Sequence, residues 1–118
     1  MTKNVTIYHN PRCSKSRATL ALLKQQGIAP QVVLYLETPP DAETLARLID
    51  RLGLSSARDL MRRKEELYRQ LNLADADLSE AQLIKAMTEH PKLIERPIVT
   101  AGNQARIGRP PEQVLEIL

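Results

Sequence analysis

One cysteine in 118 residues excludes an internal disulfide framework and any zinc site built from several cysteines. Tryptophan and phenylalanine are missing and tyrosine occurs three times, so the core must be built from Leu, Ile, Val and Ala. No run approaches the length needed to span a bilayer. Met1-Thr2-Lys3-Asn4 has no apolar signal region and leads directly into a strand. A cytoplasmic, reducing setting and no membrane partner are expected. A strong charge of one sign is also absent: 17 Lys and Arg against 14 Asp and Glu leave +3. With so few aromatics for base stacking, no nucleic-acid partner is expected, and the mild excess suits a small anionic substrate or an acidic partner. Hydrophobic content is ordinary at 42%, and 118 residues suffice for a single domain, 1–118, with its own core.

What is present gathers around the cysteine. Tyr8-His9-Asn10-Pro11-Arg12-Cys13-Ser14-Lys15-Ser16-Arg17 sets Cys13 where an apolar strand ends and a helix begins. Pro11 stops the strand, and Ser14 or Cys13 can cap the helix. Unpaired N–H groups and the positive end of the helix dipole favour the thiolate there. Arg12, Lys15 and Arg17 add positive charge within a turn. A buried, inert thiol is the commoner fate of a lone cysteine, but a proline and three cations are poor company for a core residue. Spacing then narrows the chemistry. A dithiol redox site needs a second cysteine at position 16, which is serine. A cysteine phosphatase cradle needs arginine where Thr19 stands. A monothiol site remains, in which the Ser16 hydroxyl can donate to the thiolate. His9 reads equally as an imidazolium or proton shuttle for Cys13 and as a surface histidine at a strand end.

Along the chain, Val5-Thr6-Ile7-Tyr8 reads as the first strand, and Ser14 to about Gln26 as a helix with an apolar stripe of Ala18, Leu20, Ala21, Leu22 and Leu23. Gly27 stops it. Gln31-Val32-Val33-Leu34-Tyr35-Leu36 reads as a strand buried on both faces, parallel to the first. A helical insertion over about 38–91 follows. One helix starts at Thr38-Pro39-Pro40-Asp41 with Leu45, Leu48, Ile49 and Leu52 on one face. A second, capped by Ser56, covers Ala57 to about Lys64 and continues with a break toward Gln70. A third opens on a capping box of Ser79 and Gln82 and runs to about Glu89. Pro97-Ile98-Val99-Thr100 and Ala105-Arg106-Ile107 form a hairpin about Gly102-Asn103. A proline-started helix closes the chain with Val114, Leu115 and Leu118 inward. The order βαβ, helical insertion, ββα is that of a thioredoxin-like α/β fold with a four-stranded mixed sheet.

Arg96-Pro97 lies just before the third strand, where thioredoxin-type folds commonly hold a cis peptide facing the reactive cysteine. Arg109 sits at the same end of the sheet. Exposed loop cations are the plain alternative for both. Arg62-Arg63-Lys64, followed by Glu65-Glu66, reads by default as a solvated face with pairs at i,i+3 or i,i+4. Several guanidinium groups around a thiolate have one clear use, which is to cancel repulsion while the thiolate attacks a tetrahedral oxyanion.

Four blocks carry a resemblance: Ile7-Tyr8-His9-Asn10-Pro11-Arg12-Cys13, Leu34-Tyr35-Leu36-Glu37-Thr38-Pro39-Pro40, His90-Pro91-Lys92-Leu93-Ile94-Glu95-Arg96-Pro97-Ile98-Val99 and Gly108-Arg109-Pro110. Together they are similar to the glutaredoxin-coupled arsenate reductases, over nearly the whole length. The resemblance implies Cys13 as nucleophile, His9 as the histidine that assists it, and Arg62, Arg96 and Arg109 as oxyanion-binding arginines. At Arg62 the alignment takes a one-residue insertion and Arg63 is adjacent. It further implies arsenate as substrate, no bound cofactor and no metal, glutathione as co-substrate, and glutaredoxin to resolve a Cys13–glutathione disulfide. Two rival readings keep the fold. One is a glutathione-dependent thiol oxidoreductase acting on another oxyanion or a mixed disulfide. The other is an Spx-like redox regulator of RNA polymerase, whose usual Cys-x-x-Cys switch is missing here. Longer family members continue with a polar tail, whereas this chain ends at Leu118.

Overall fold

The computed structural model describes residues 4–118; the start expected at Met1-Thr2-Lys3 lies outside them. The chain divides into two compact units, one running up to Thr38 and resuming at Arg96, the other spanning Pro39–Glu95.

The first unit is a mixed four-stranded sheet with helices. Its elements are β1 (Val5–Tyr8), α1 (Ser14–Gln25), β2 (Gln31–Val33), β3 (Ile98–Ala101), β4 (Gln104–Ile107) and a 3₁₀ helix over Pro111–Ile117. The strand order is β2-β1-β3-β4. β1 and β2 are parallel, and β1–β3 and β3–β4 are antiparallel. Ile7, Leu23, Val99, Ala101, Val114 and Ile117 form the core, with Val5, Leu20, Leu22 and Ile28 packed around it. The register has a functional result. Tyr8 pairs with Val33 and with Ile98, and Ile98 pairs with Ile107. The end of β1, the start of β3 and the end of β4 therefore meet at one rim, and the loops carrying Cys13, Arg96 and Arg109 all leave from it.

Three expectations in this unit are corrected. The second strand is three residues long, not six, and the chain turns at Leu34. It is an edge strand, so Val32, Leu34 and Leu36 remain 44%, 36% and 42% exposed instead of buried on both faces. On α1, Ala18 and Ala21 are exposed, and the fully buried positions are Ser16, Thr19 and Leu23. The closing helix is 3₁₀, so its inward face repeats every three residues: Val114 and Ile117 are buried, while Leu115 and Leu118 face outward.

The second unit is helical. α2 (Ala42–Arg51) starts where Asp41 accepts a bond from Thr44 N at 2.8 Å, and it buries Leu45 and Leu48. α4 (Glu80–Glu89) carries the expected capping box, with Ser79 Oγ accepting from Gln82 N and Gln82 Oε1 accepting from Ser79 N. The helix expected from Ala57 to Lys64 is one 3₁₀ turn, Ala57–Leu60, capped by Ser56. Met61 then goes extended and bridges to Ile94, while Arg62 N donates to Leu93 O and Glu95 N donates to Leu60 O. Those backbone bonds satisfy the segment without a helix. The helical pattern resumes only at the five-residue α3, Glu66–Gln70.

Candidate functional site

Cys13 is the N-cap residue of α1, with an extended backbone and no side-chain cap bond. Asn10 O accepts from its N–H at 3.0 Å, which turns the strand end into the helix start. Burial pushes the thiol up, but the backbone N–H groups of Ser16 and Lys15 and the Arg96 and Arg109 guanidinium groups outweigh it, and the net direction is down. Arg109 Nη2 lies 3.8 Å from Cys13 Sγ, and its Nε donates to Arg96 O at 2.9 Å. Arg96–Pro97 is cis, as expected, and so is Arg109–Pro110, which the sequence reading did not single out.

The motif's own cations play a different part from the expected one. The Arg17 guanidinium donates to Pro11 O at 3.0 Å, and the Arg12 backbone N–H donates to Asn10 Oδ1 at 3.0 Å. Lys15 acts on the sulfur through its backbone N–H, not its ammonium. The positive charges that bias the thiol are the distant Arg96 and Arg109.

His9 and Ser16 sit behind the cysteine. His9 is 6% exposed, so it is not a surface histidine. Its Nδ1 is 2.6 Å from Ser16 Oγ, which also accepts from Asn10 N at 3.0 Å. Burial, then Arg17 and Lys24, lower the His9 pKa from 6.5. That direction favours the neutral imidazole near pH 7, which does not fit the imidazolium reading of His9 and is compatible with the proton-shuttle reading. Ser16 is corrected likewise: its hydroxyl is engaged by His9 and Asn10, and its backbone N–H serves the sulfur. Asn10 was not anticipated as a site residue. Its position next to Pro11 in a strand-to-helix turn was the available signal, because such turns must satisfy backbone groups with short polar side chains.

Arg62 and Arg63 belong to the helical unit. Arg62 Nη1 is 3.4 Å from Glu65 Oε2 and from Lys92 O, and Glu65 also meets Lys92 Nζ at 3.3 Å. Arg63 pairs with Asp59 at 2.8 Å. These are the i,i+3 and i,i+4 partners that the run of charges suggested. The sheet unit itself assembles Cys13, Arg96 and Arg109, with His9 and Ser16 bracing the turn. Among the described residues no group of three His, Cys, Asp or Glu could hold a metal, and no helix is long and apolar enough to cross a membrane.

The chain is similar to proteins of known sequence and structure. YfgD, an uncharacterized protein of Escherichia coli K12, is 69% identical over 118 residues, covering 100% of this chain and 99% of that protein. An arsenate reductase of Haemophilus influenzae is 56% identical over 115 residues, covering 98% and 99%. The solved structure of the arsenate reductase from Vibrio cholerae matches all of both chains with a TM-score of 0.98 and 65% identity, so the fold is thioredoxin-like. Residues 8–117 match the ArsC family, a span that includes Cys13, Arg96 and Arg109, and the chain belongs to that family.

Proposed function

We propose that this chain reduces arsenate to arsenite in the cytoplasm, with Cys13 as nucleophile and with glutathione and glutaredoxin as external reductants. The observation that carries the reading is Arg109 Nη2 at 3.8 Å from the sulfur of a thiol drawn toward the thiolate. A guanidinium placed there neutralises the approach of one anion to another. Arg96 acts from the same rim, and Arg62 is assigned as the third oxyanion ligand from the family resemblance.

The cycle balances as follows. The Cys13 thiolate attacks arsenic(V), and one arsenate oxygen leaves as water after protonation. Glutathione displaces a second oxygen as water, giving an arsenic(V) centre bonded to both sulfurs. The two As–S bonds then break: of their four electrons, two form the S–S bond of a Cys13–glutathione disulfide and two stay on arsenic. Arsenic is thereby reduced to arsenic(III) and, on taking up one water, is released as arsenite. Glutaredoxin removes the glutathione by thiol exchange and regenerates Cys13. With one cysteine in the chain, no internal thiol can do this.

A coupled assay with arsenate, glutathione, glutaredoxin, glutathione reductase and NADPH tests the proposal. Wild type should consume NADPH only when arsenate is present, and Cys13→Ser should fall to background. Arsenate-independent consumption, or turnover surviving the substitution, overturns it. Replacing either guanidinium, Arg96→Gln or Arg109→Gln, should lower kcat/KM for arsenate by about 10- to 100-fold, the worth of a hydrogen bond to a charged group.

A further inference from the structure

Gly108 differs in kind from the chain's other glycines. Gly27, Gly53 and Gly102 have φ of +76°, +72° and +61°, and a Cβ added to any of them would meet nothing within 4 Å. Gly108 lies outside that left-handed region and is crowded instead. A Cβ there would overlap Thr19 Oγ1 and stand 2.9 Å from Pro97 Cγ and 3.1 Å from Thr19 Cγ2. Neither neighbour can give way easily. Thr19 is fully buried on α1 with its hydroxyl donating to Lys15 O at 2.8 Å, and Pro97 is a ring. The adjoining backbone is latched as well. Gly108 N donates to Pro97 O, and Arg109 N donates to Ile107 O, each at 2.9 Å.

We propose that Gly108 is a positioning residue: its missing side chain lets the segment after β4 close onto Thr19 and Pro97, and that close approach sets Arg109 against Cys13. The next residue in the chain is the one whose Nε is held by Arg96 O and whose Nη2 reaches Cys13 Sγ at 3.8 Å. A contact of that length is already long for a bond to sulfur, so a retreat of a few tenths of an ångström is enough to lose it. Thr19 has the complementary part. It is a small polar residue on the buried face of α1, where a larger one would push the same segment away. This concerns the placement of Arg109 and holds whatever oxyanion or disulfide Cys13 acts on.

The test reads Cys13 directly, without substrate, from the pH dependence of its alkylation by iodoacetamide. Arg109→Gln should raise the midpoint and slow alkylation below it by about three- to tenfold. Gly108→Ala should do nearly the same, and Gly108→Ala with Arg109→Gln should add nothing further. Thr19→Ala combined with Gly108→Ala, which removes both Thr19 contacts and leaves only Pro97 Cγ close to the new Cβ, should return the midpoint toward wild type. An unshifted midpoint in Gly108→Ala or in Arg109→Gln overturns the proposal, as does full additivity in the double variant. If Gly108→Ala alone fails to fold, the Thr19→Ala, Gly108→Ala pair decides: a midpoint near wild type supports the proposal, and one as high as Arg109→Gln refutes it.

Discussion

At the scale of the residue, charge and hydrogen bonding divide the work around Cys13. The backbone of α1 and two distant arginines favour the thiolate, while His9 stays neutral behind them. Wild-type Cys13 should therefore alkylate with a midpoint below the ordinary thiol value of about 8.5, and a midpoint at that value would contradict the electrostatics described above. His9 has its own pH signature. Its folded pKa lies below the 6.5 expected when unfolded, so the unfolded chain takes up the proton first as pH falls. The stability that goes with neutral His9 is present above pH 6.5 and is lost as the pH falls through the lower folded value. Between pH 7 and pH 5 the Tm of wild type should fall more steeply than that of His9→Asn; parallel curves would refute this. Cys13 was legible in the sequence because a proline and three cations are poor company for a core residue, whereas Arg96 and Arg109 stood out from ordinary loop cations only through the order of the strands and the family resemblance. Ser16 was singled out for its hydroxyl, whereas its backbone N–H serves the sulfur. The part of Thr19 was not legible, because a buried hydroxyl satisfied within its own helix looks like any surface threonine until its partners are known.

At the scale of the element, local signals succeeded where the backbone's needs are met locally. The Ser79–Gln82 capping box formed as read, and Ser79→Ala should cost about 1 kcal/mol, measurable by urea denaturation. Glu80 reaches further: its carboxylate accepts from Ala57 N at 2.6 Å and Ser56 Oγ at 2.8 Å, capping a turn 23 residues upstream. Glu80→Ala should accordingly destabilise more than Ser79→Ala, and an equal or smaller effect would show that this cap contributes little. The stretch after Leu60 misled because Met61 and Arg62 find backbone partners in Leu93 and Ile94, some thirty residues away, and no helical periodicity reports such a bridge. β2 misled for a related reason. Apolar continuity marks a strand that could be buried on both faces, but its place at the sheet edge is decided by which strands pair with β1.

At the scale of the whole molecule, the order of strands and helices was readable because turn residues punctuate it at Gly27, Pro30, Gly102 and Pro110. The rim that unites Cys13, Arg96 and Arg109 was readable only as an inference from that order, since it depends on register. A single cysteine also sets the covalent possibilities of the protein. Oxidised glutathione should add one glutathione per chain by intact mass, none to Cys13→Ser, and glutaredoxin should remove it. More than one adduct, or an adduct on the variant, would contradict a single reactive thiol.

The brace between Arg109 and the Arg96 carbonyl has a thermodynamic consequence. A free arginine side chain surrenders up to about 2 kcal/mol of rotamer entropy when an anion immobilises it. Arg109 has given up part of that freedom already, when the sheet rim formed and its Nε found the carbonyl. An oxyanion arriving at Cys13 meets a guanidinium whose ordering belongs to folding, so calorimetry should find the entropic penalty of binding smaller than for a side chain recruited from solvent.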